Sequence, residues 1–267
     1  RQLGIPYLYR TNRNHLDMES TIISNNPVES RYADSKFFGL FALFITFIVF
    51  GGFALNWLSN PSNLGRVTLW TGLHGGFSAA WYLLLLTQIK LASKGSYSTH
   101  KIFGKLSVFL VLGILLTGSI MAYEFYHRLA GFGVFNPEDA QARLRAGSFL
   151  GGAFLQWLIF LVLYVLGILN IKNPAHHKRF MIAAAIQMMP EGLNRVIHLL
   201  SIPGYSMFLF MFSVYLILMF YDWKVHGRLY ASTALSFVLF CLLVLTMHTI
   251  FKWQAWGDWS VKMISSI

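Results

Sequence analysis

The sequence predicts an all-α, polytopic membrane protein: a bundle of seven transmembrane helices. Three observations carry this. Seven apolar segments of about 20 residues or longer fill the chain from Phe37 to Lys252, and a helix of that length crosses about 30 Å of hydrocarbon. Of the 267 residues, 56% are hydrophobic and 12% charged, about half the charged share of a soluble domain. The 24 Phe and 8 Trp suit a lipid-facing surface with interfacial belts.

Residues 1–36 read as an N-terminal tail. Its first 17 residues are polar and precede Met18, so they are read as lying outside the native coding sequence. The spans are predicted at 37–58, 66–90, 100–126, 145–171, 177–200, 204–223 and 230–252. Ahead of span 4, Asn136 suits an N-cap, Pro137 the first helical position, and Glu138 and Asp139 the positive end of the helix dipole. A helical extension is therefore expected from about 137. Pro190 removes a backbone hydrogen bond within span 5 and is expected to kink it. Residues 253–267 form a Trp-rich C-terminal tail, whose Trp253, Trp256 and Trp259 suit a membrane interface.

The net charge of +11 does not indicate nucleic acid, because the basic residues lie at span ends and form no patch. Anionic lipid headgroups are the expected partner. The connections on the N-terminal side carry Arg31, Lys36, Lys90, Lys94, Lys101, Lys105, Lys172, Lys178, Arg179, Lys224 and Arg228. The opposite side carries Arg66, Arg128, Arg143, Arg145, Lys252 and Lys262. This bias places the N-terminus in the cytoplasm and the C-terminus outside a bacterial cytoplasmic (inner) membrane. The single cysteine, Cys241, excludes an intrachain disulfide or a Cys-based metal site. A homo-oligomer remains open.

Polar groups at membrane depth are the candidates for function. In span 5, Glu191, Asn194, Arg195 and His198 follow helical spacing and share one face. Glu191 reads as the one acidic residue well inside a span, with Arg195 its natural partner one turn away. Span 2 carries a matching stripe of Trp70, His74, Ser78, Trp81 and Gln88, and span 7 adds His248. These residues are expected to line one pocket in the outer half of the bundle. Glu124 and His127, at the outer end of span 3, read as solvated.

The inner side carries His100 at the start of span 3, and His177, Lys178 and Arg179 at the start of span 5. His100 and His177 have two readings: an axial pair on one haem, or part of a basic collar for lipid phosphates. Their place at the edge of the apolar region favours the collar.

The sequence contains no Walker loop, H-E-x-x-H, Rossmann glycine pattern or G-x-S-x-G, and span 7 has no interior lysine to hold retinal. The leading expectation is an outer-half pocket that binds a metal, haem or small ligand for redox chemistry or sensing. His74 and His198 would be its ligands, since neutral imidazole suits iron, copper and zinc. The rivals are a carrier for protons or a small solute, and a non-catalytic scaffold or assembly factor.

From His74 to Tyr230 the chain resembles a group of uncharacterised bacterial seven-helix membrane proteins. The residues that carry the likeness are His74, Trp81 and Gln88, His100-Lys101-x-x-Gly104, His177-Lys178-Arg179-x-Met181, Arg195, Tyr221-Asp222 and Gly227-Arg228. That group usually has Arg at the position of Lys101. The resemblance implies a shared fold and no particular activity. A weaker likeness is to the two-haem b-type cytochromes that use ascorbate, which place histidines on consecutive helices. Span 4 has no histidine, and His177 and His198 are 21 residues apart, about 31 Å of helix. One haem fits that spacing better than two.

Overall fold

The computed structural model describes residues 27–131 and 135–266, so residues 1–17 lie outside the described region. Among the described residues all regular structure is helical: α1 (Pro27–Ser59), α2 (Leu69–Ser93), α3 (Tyr97–Gly131), α4 (Ala140–Leu169), α5 (Pro174–Gln187), α6 (Pro190–Leu199), α7 (Ser206–His226), α8 (Ala231–His248) and α9 (Gln254–Ser265). Short 3-10 turns cover Pro61–Arg66 and Ile250–Lys252.

Five helices are long and apolar enough to cross a membrane: Asp34–Ser59, Tyr97–Ala130, Ala140–Leu169, Ser206–His226 and Ala231–Lys252. Large apolar side chains stay on their outside, with Phe47 at 72% and Phe109 at 69% exposure. A surface of that kind needs lipid as its solvent. The chain is thus a multi-pass membrane protein. The other two expected spans differ from the continuous apolar helices of the sequence reading. α2 has the length, at 25 residues, but its polar stripe keeps it outside the set of five. Span 5 is two helices. Its hydrogen-bond ladder ends at Gln187 and restarts at Pro190, which occupies the first position of α6, where a missing N–H costs least.

The start of α4 also differs. Asp139 is its N-cap, accepting from the backbone N–H of Gln141 (3.0 Å) and Ala142 (3.2 Å). Asn136 instead closes a local turn by accepting from Glu138 N–H (3.0 Å). Two carboxamide or carboxylate caps competed, and the one that satisfies two orphan donors sets the boundary.

Backbone contacts too close for a side chain fix two helix crossings. α6 lies on α1 through Gly192, where a Cβ would sit 2.5 Å from Val49 Cα. α9 crosses α4 through Gly147 and Gly257; a Cβ on Gly257 would sit 2.7 Å from Leu144 Cα. Small residues allow such approach in lipid, where packing replaces the hydrophobic effect between helices. The C-terminal segment is therefore a packed helix, tied down by Trp256 Nε1–H donating to Gly147 O (2.8 Å) and by the Arg143–Asp258 ion pair (2.6 Å).

The hydrogen bond from Arg143, aided by one from Gln254, holds the Asp258 carboxyl below the usual carboxylate range. A depressed folded-state pKa contributes stability above the unfolded value of about 3.9 and loses it as pH falls through the folded one. Acid is therefore expected to loosen α9. Emission from Trp256 and Trp259 should shift below about pH 4, and Asp258→Asn should flatten that response.

Candidate functional site

The polar side chains collect at one end of the bundle, where α1, α3, α5 and α8 start and α2, α4 and α7 end. At its centre is an ion pair between Arg179 and Asp222, both fully buried. Arg179 Nε and Nη2 donate to Asp222 Oδ1 (2.8 and 2.5 Å), and Nη1 donates to Ala175 O (2.8 Å). Thr233 Oγ1 donates to the second carboxylate oxygen (2.6 Å), and the guanidinium stacks 3.6 Å from the centre of the Tyr230 ring. Every strong polar atom of the pair is satisfied, which a charge needs in a low-dielectric interior.

This corrects one sequence expectation: Arg179 is sealed in the core and does not bind a lipid headgroup. Asp222, near the end of α7, is fully buried, whereas Glu191 is half-buried.

Beside this pair, Asp34 of α1 gathers Lys178 of α5 in a salt bridge, the Tyr221 hydroxyl (2.8 Å) and His226 Nε2–H (2.9 Å). Lys178 is thus engaged within the protein. His176 hydrogen-bonds Ser232 (3.0 Å). The sequence reading missed Asp34, His226, Tyr230 and Thr233. Asp34 and His226 meet across 192 residues of chain, and the sequence marked this region only through the His177-Lys178-Arg179, Tyr221-Asp222 and Gly227-Arg228 motifs.

The two remaining histidines at this end form a pair. The His100 and His177 ring centres are 6.3 Å apart, and their planes stand at 75°. His100 Nδ1 lies 3.2 Å from Gln88 O, while Gln88 Nε2 donates to His100 O (3.0 Å). His177 Nδ1 lies 2.7 Å from Gly167 O. A carbonyl only accepts, so on both rings Nδ1 carries the proton and donates. Among the described residues no hydrogen bond reaches Nε2 of either ring, which carries a lone pair when the ring is neutral. Histidines that bind metal use this arrangement, with the far nitrogen held by a carbonyl that fixes tautomer and ring orientation.

The residues expected to line an outer pocket are placed as follows. His74 is buried, its Nδ1–H donating to Ile114 O (3.1 Å) and its ring 5.9 Å from that of Trp157. On α6 the apolar side, Gly192, Leu193 and Ile197, is buried, while Asn194 and His198 are exposed. Glu191 and Arg195 are half-buried, and the Arg195 guanidinium lies 4.1 Å from the Phe53 ring centre. His248 is exposed, with Nδ1–H donating to Val244 O (2.8 Å) of its own helix. Among the described residues no hydrogen bond or ion pair links His74, Glu191, Arg195, His198 and His248, and no group of three His, Cys, Asp or Glu could hold a metal. At this end, Glu124 is not simply solvated: its Oε2 accepts from Thr68 Oγ1 (3.1 Å).

A groove of about 720 Å³ between α3, α4 and α9 is apolar, lined by Leu150, Phe154, Phe251, Trp256 and Trp259 among others. It holds none of these titratable groups. No family model, curated protein or solved structure matches the chain.

Proposed function

We propose that the chain is a seven-pass protein of a bacterial cytoplasmic membrane that binds one haem or one transition-metal ion through His100 and His177, for redox chemistry or sensing. α2 and the broken α5–α6 pair supply the two further passes. The Lys and Arg bias orients the histidine end towards the cytoplasm.

The carrying observation is the pair of imidazoles from α3 and α5, each with Nδ1–H committed to a carbonyl on another helix. Metal–nitrogen bonds of about 2.0–2.1 Å on opposite sides of one ion put two imidazole centres at most about 6.4 Å apart. The 6.3 Å separation falls within that reach. Two protein ligands are too few for a closed tetrahedral zinc site. They match the axial demand of a haem iron, whose macrocycle supplies the other four nitrogens. The fixed tautomers favour this reading over the lipid-phosphate collar, which needs positive charge and no particular ring nitrogen.

The test is the metal content and visible absorption of purified full-length protein. The wild type is expected to carry one metal or haem per chain. His100→Ala and His177→Ala should each lose it, and His74→Ala should keep it. A colourless, metal-free wild type in cells supplied with iron, copper and haem precursor would overturn the proposal, as would binding that survives both substitutions.

A further inference from the structure

At the end of the bundle opposite the histidine pair, α9 lies across α4 and leaves the apolar groove of about 720 Å³ against α3. Ligand clefts span about 300–1,000 Å³, so this is space enough for a bound molecule. Buried Leu150 and Phe251 close its floor. Its side is open, with Phe154 at 46% and Leu158 at 54% exposure. Both residues are on α4, one of the five apolar helices long enough to cross a membrane, so the opening faces lipid.

The groove has the length of a lipid chain. Along α4 it runs from Leu150 to Leu158, about 12 Å of helix. Leu158 is the midpoint of the span expected at 145–171. The groove therefore runs from near the membrane surface to the middle of the bilayer, close to the depth of about 15 Å that one leaflet gives to the hydrocarbon core. Its mouth carries Tyr123 and Trp259, whose apolar rings and polar tips suit headgroup level. Two exposed cations adjoin lining residues: Lys252 follows Phe251, and Lys262 precedes Met263. Lys262 is also one turn from Trp259 on the same side of α9. Among the described residues neither lysine is in an ion pair, and the Asp258 carboxylate is taken by Arg143.

We infer that this groove holds one acyl chain of a phospholipid from the leaflet at this end, and that Lys252 and Lys262 select an anionic headgroup. The chain lies along α4 against Leu150, Phe154 and Phe251, walls that offer dispersion contact and demand no hydrogen bond. A compact ligand would leave part of the length unfilled. The two ammonium groups meet the lipid phosphate at the mouth. A zwitterionic lipid brings its own cation to the same place and loses that attraction, whereas phosphatidylglycerol keeps it. The site is separate from the metal or haem proposal, because His100 and His177 lie at the other end of the bundle.

Native mass spectrometry of the full-length protein in detergent, titrated with dioleoylphosphatidylglycerol or dioleoylphosphatidylcholine, tests this. The wild type is expected to retain one phosphatidylglycerol per chain at several-fold lower lipid than it needs for phosphatidylcholine. Ile120→Trp, which fills the groove from a partly exposed position on α3, should abolish retention of both lipids. Lys262→Gln should cut the preference by about fivefold, the worth of one lysine at a membrane surface. Equal retention of the two lipids by the wild type overturns the inference, as does wild-type retention by folded Ile120→Trp. A lipid-free dimer that Ile120→Trp separates would put a second copy of the chain in the groove and overturn it too. If Ile120→Trp does not fold, Lys262→Gln decides, since it changes only an exposed side chain, and an unchanged preference overturns the site.

Discussion

Asp222→Ala is expected to destabilise the protein by about 3–5 kcal/mol, because it strands the buried guanidinium of Arg179. The stranded group would keep its donation to Ala175 O and its stacking on Tyr230, but would lose both hydrogen bonds to the carboxylate. Thr233 would lose its acceptor as well. The loss reflects an unpaired charge more than the net worth of the pair. The double variant Arg179→Met/Asp222→Leu, of similar volume and without charge, should therefore regain most of the stability. Thermal unfolding in detergent, followed by helical circular dichroism on both single variants and the double, gives the coupling directly. A double variant as unstable as the sum of the singles would show that the site is held by something other than charge pairing.

Gly192→Val is expected to lift α6 off α1. Its Cβ would fall 2.5 Å from both Val49 Cα and Val49 O, and backbone cannot move aside as a flexible side chain can. Overpacking of this kind costs about 1–3 kcal/mol, and more where both neighbours are main chain. Gly51→Val is the matched control, since a Cβ at Gly51 meets nothing within 4 Å. Hydrogen exchange of the α6 amides should rise in Gly192→Val and stay at the wild-type level in Gly51→Val. Equal exchange in the two variants would place the α1–α6 contact elsewhere.

The helical membrane class was legible because apolar run length is a local property, and lipid demands it of each span separately. The Pro190 signal was legible too, although a kink was expected and the structure has a break. Helix rotation was not legible. Glu191, Asn194, Arg195 and His198 do share one face of α6, but Gly192 on another side makes the close contact that packing selects, and Ile197 is buried. The polar face is left half-buried at Glu191 and Arg195 and exposed at Asn194 and His198. Arg179 resembled an interfacial cation because its neutralising partner is 43 residues away. No sequence window contains both. The two readings of His100 and His177 likewise turned on ring orientation, which depends on the Gln88 and Gly167 carbonyls of α2 and α4.

The central claim is that Nε2 of His100 and Nε2 of His177 meet on one metal centre. X-ray absorption at the edge of the bound metal, on wild type and on the two alanine variants, tests it most directly. The account predicts two imidazoles at about 2.0 Å in the wild type, and loss of one or both in each variant. An imidazole shell that is absent from the wild type, or unchanged when either histidine is removed, would contradict it.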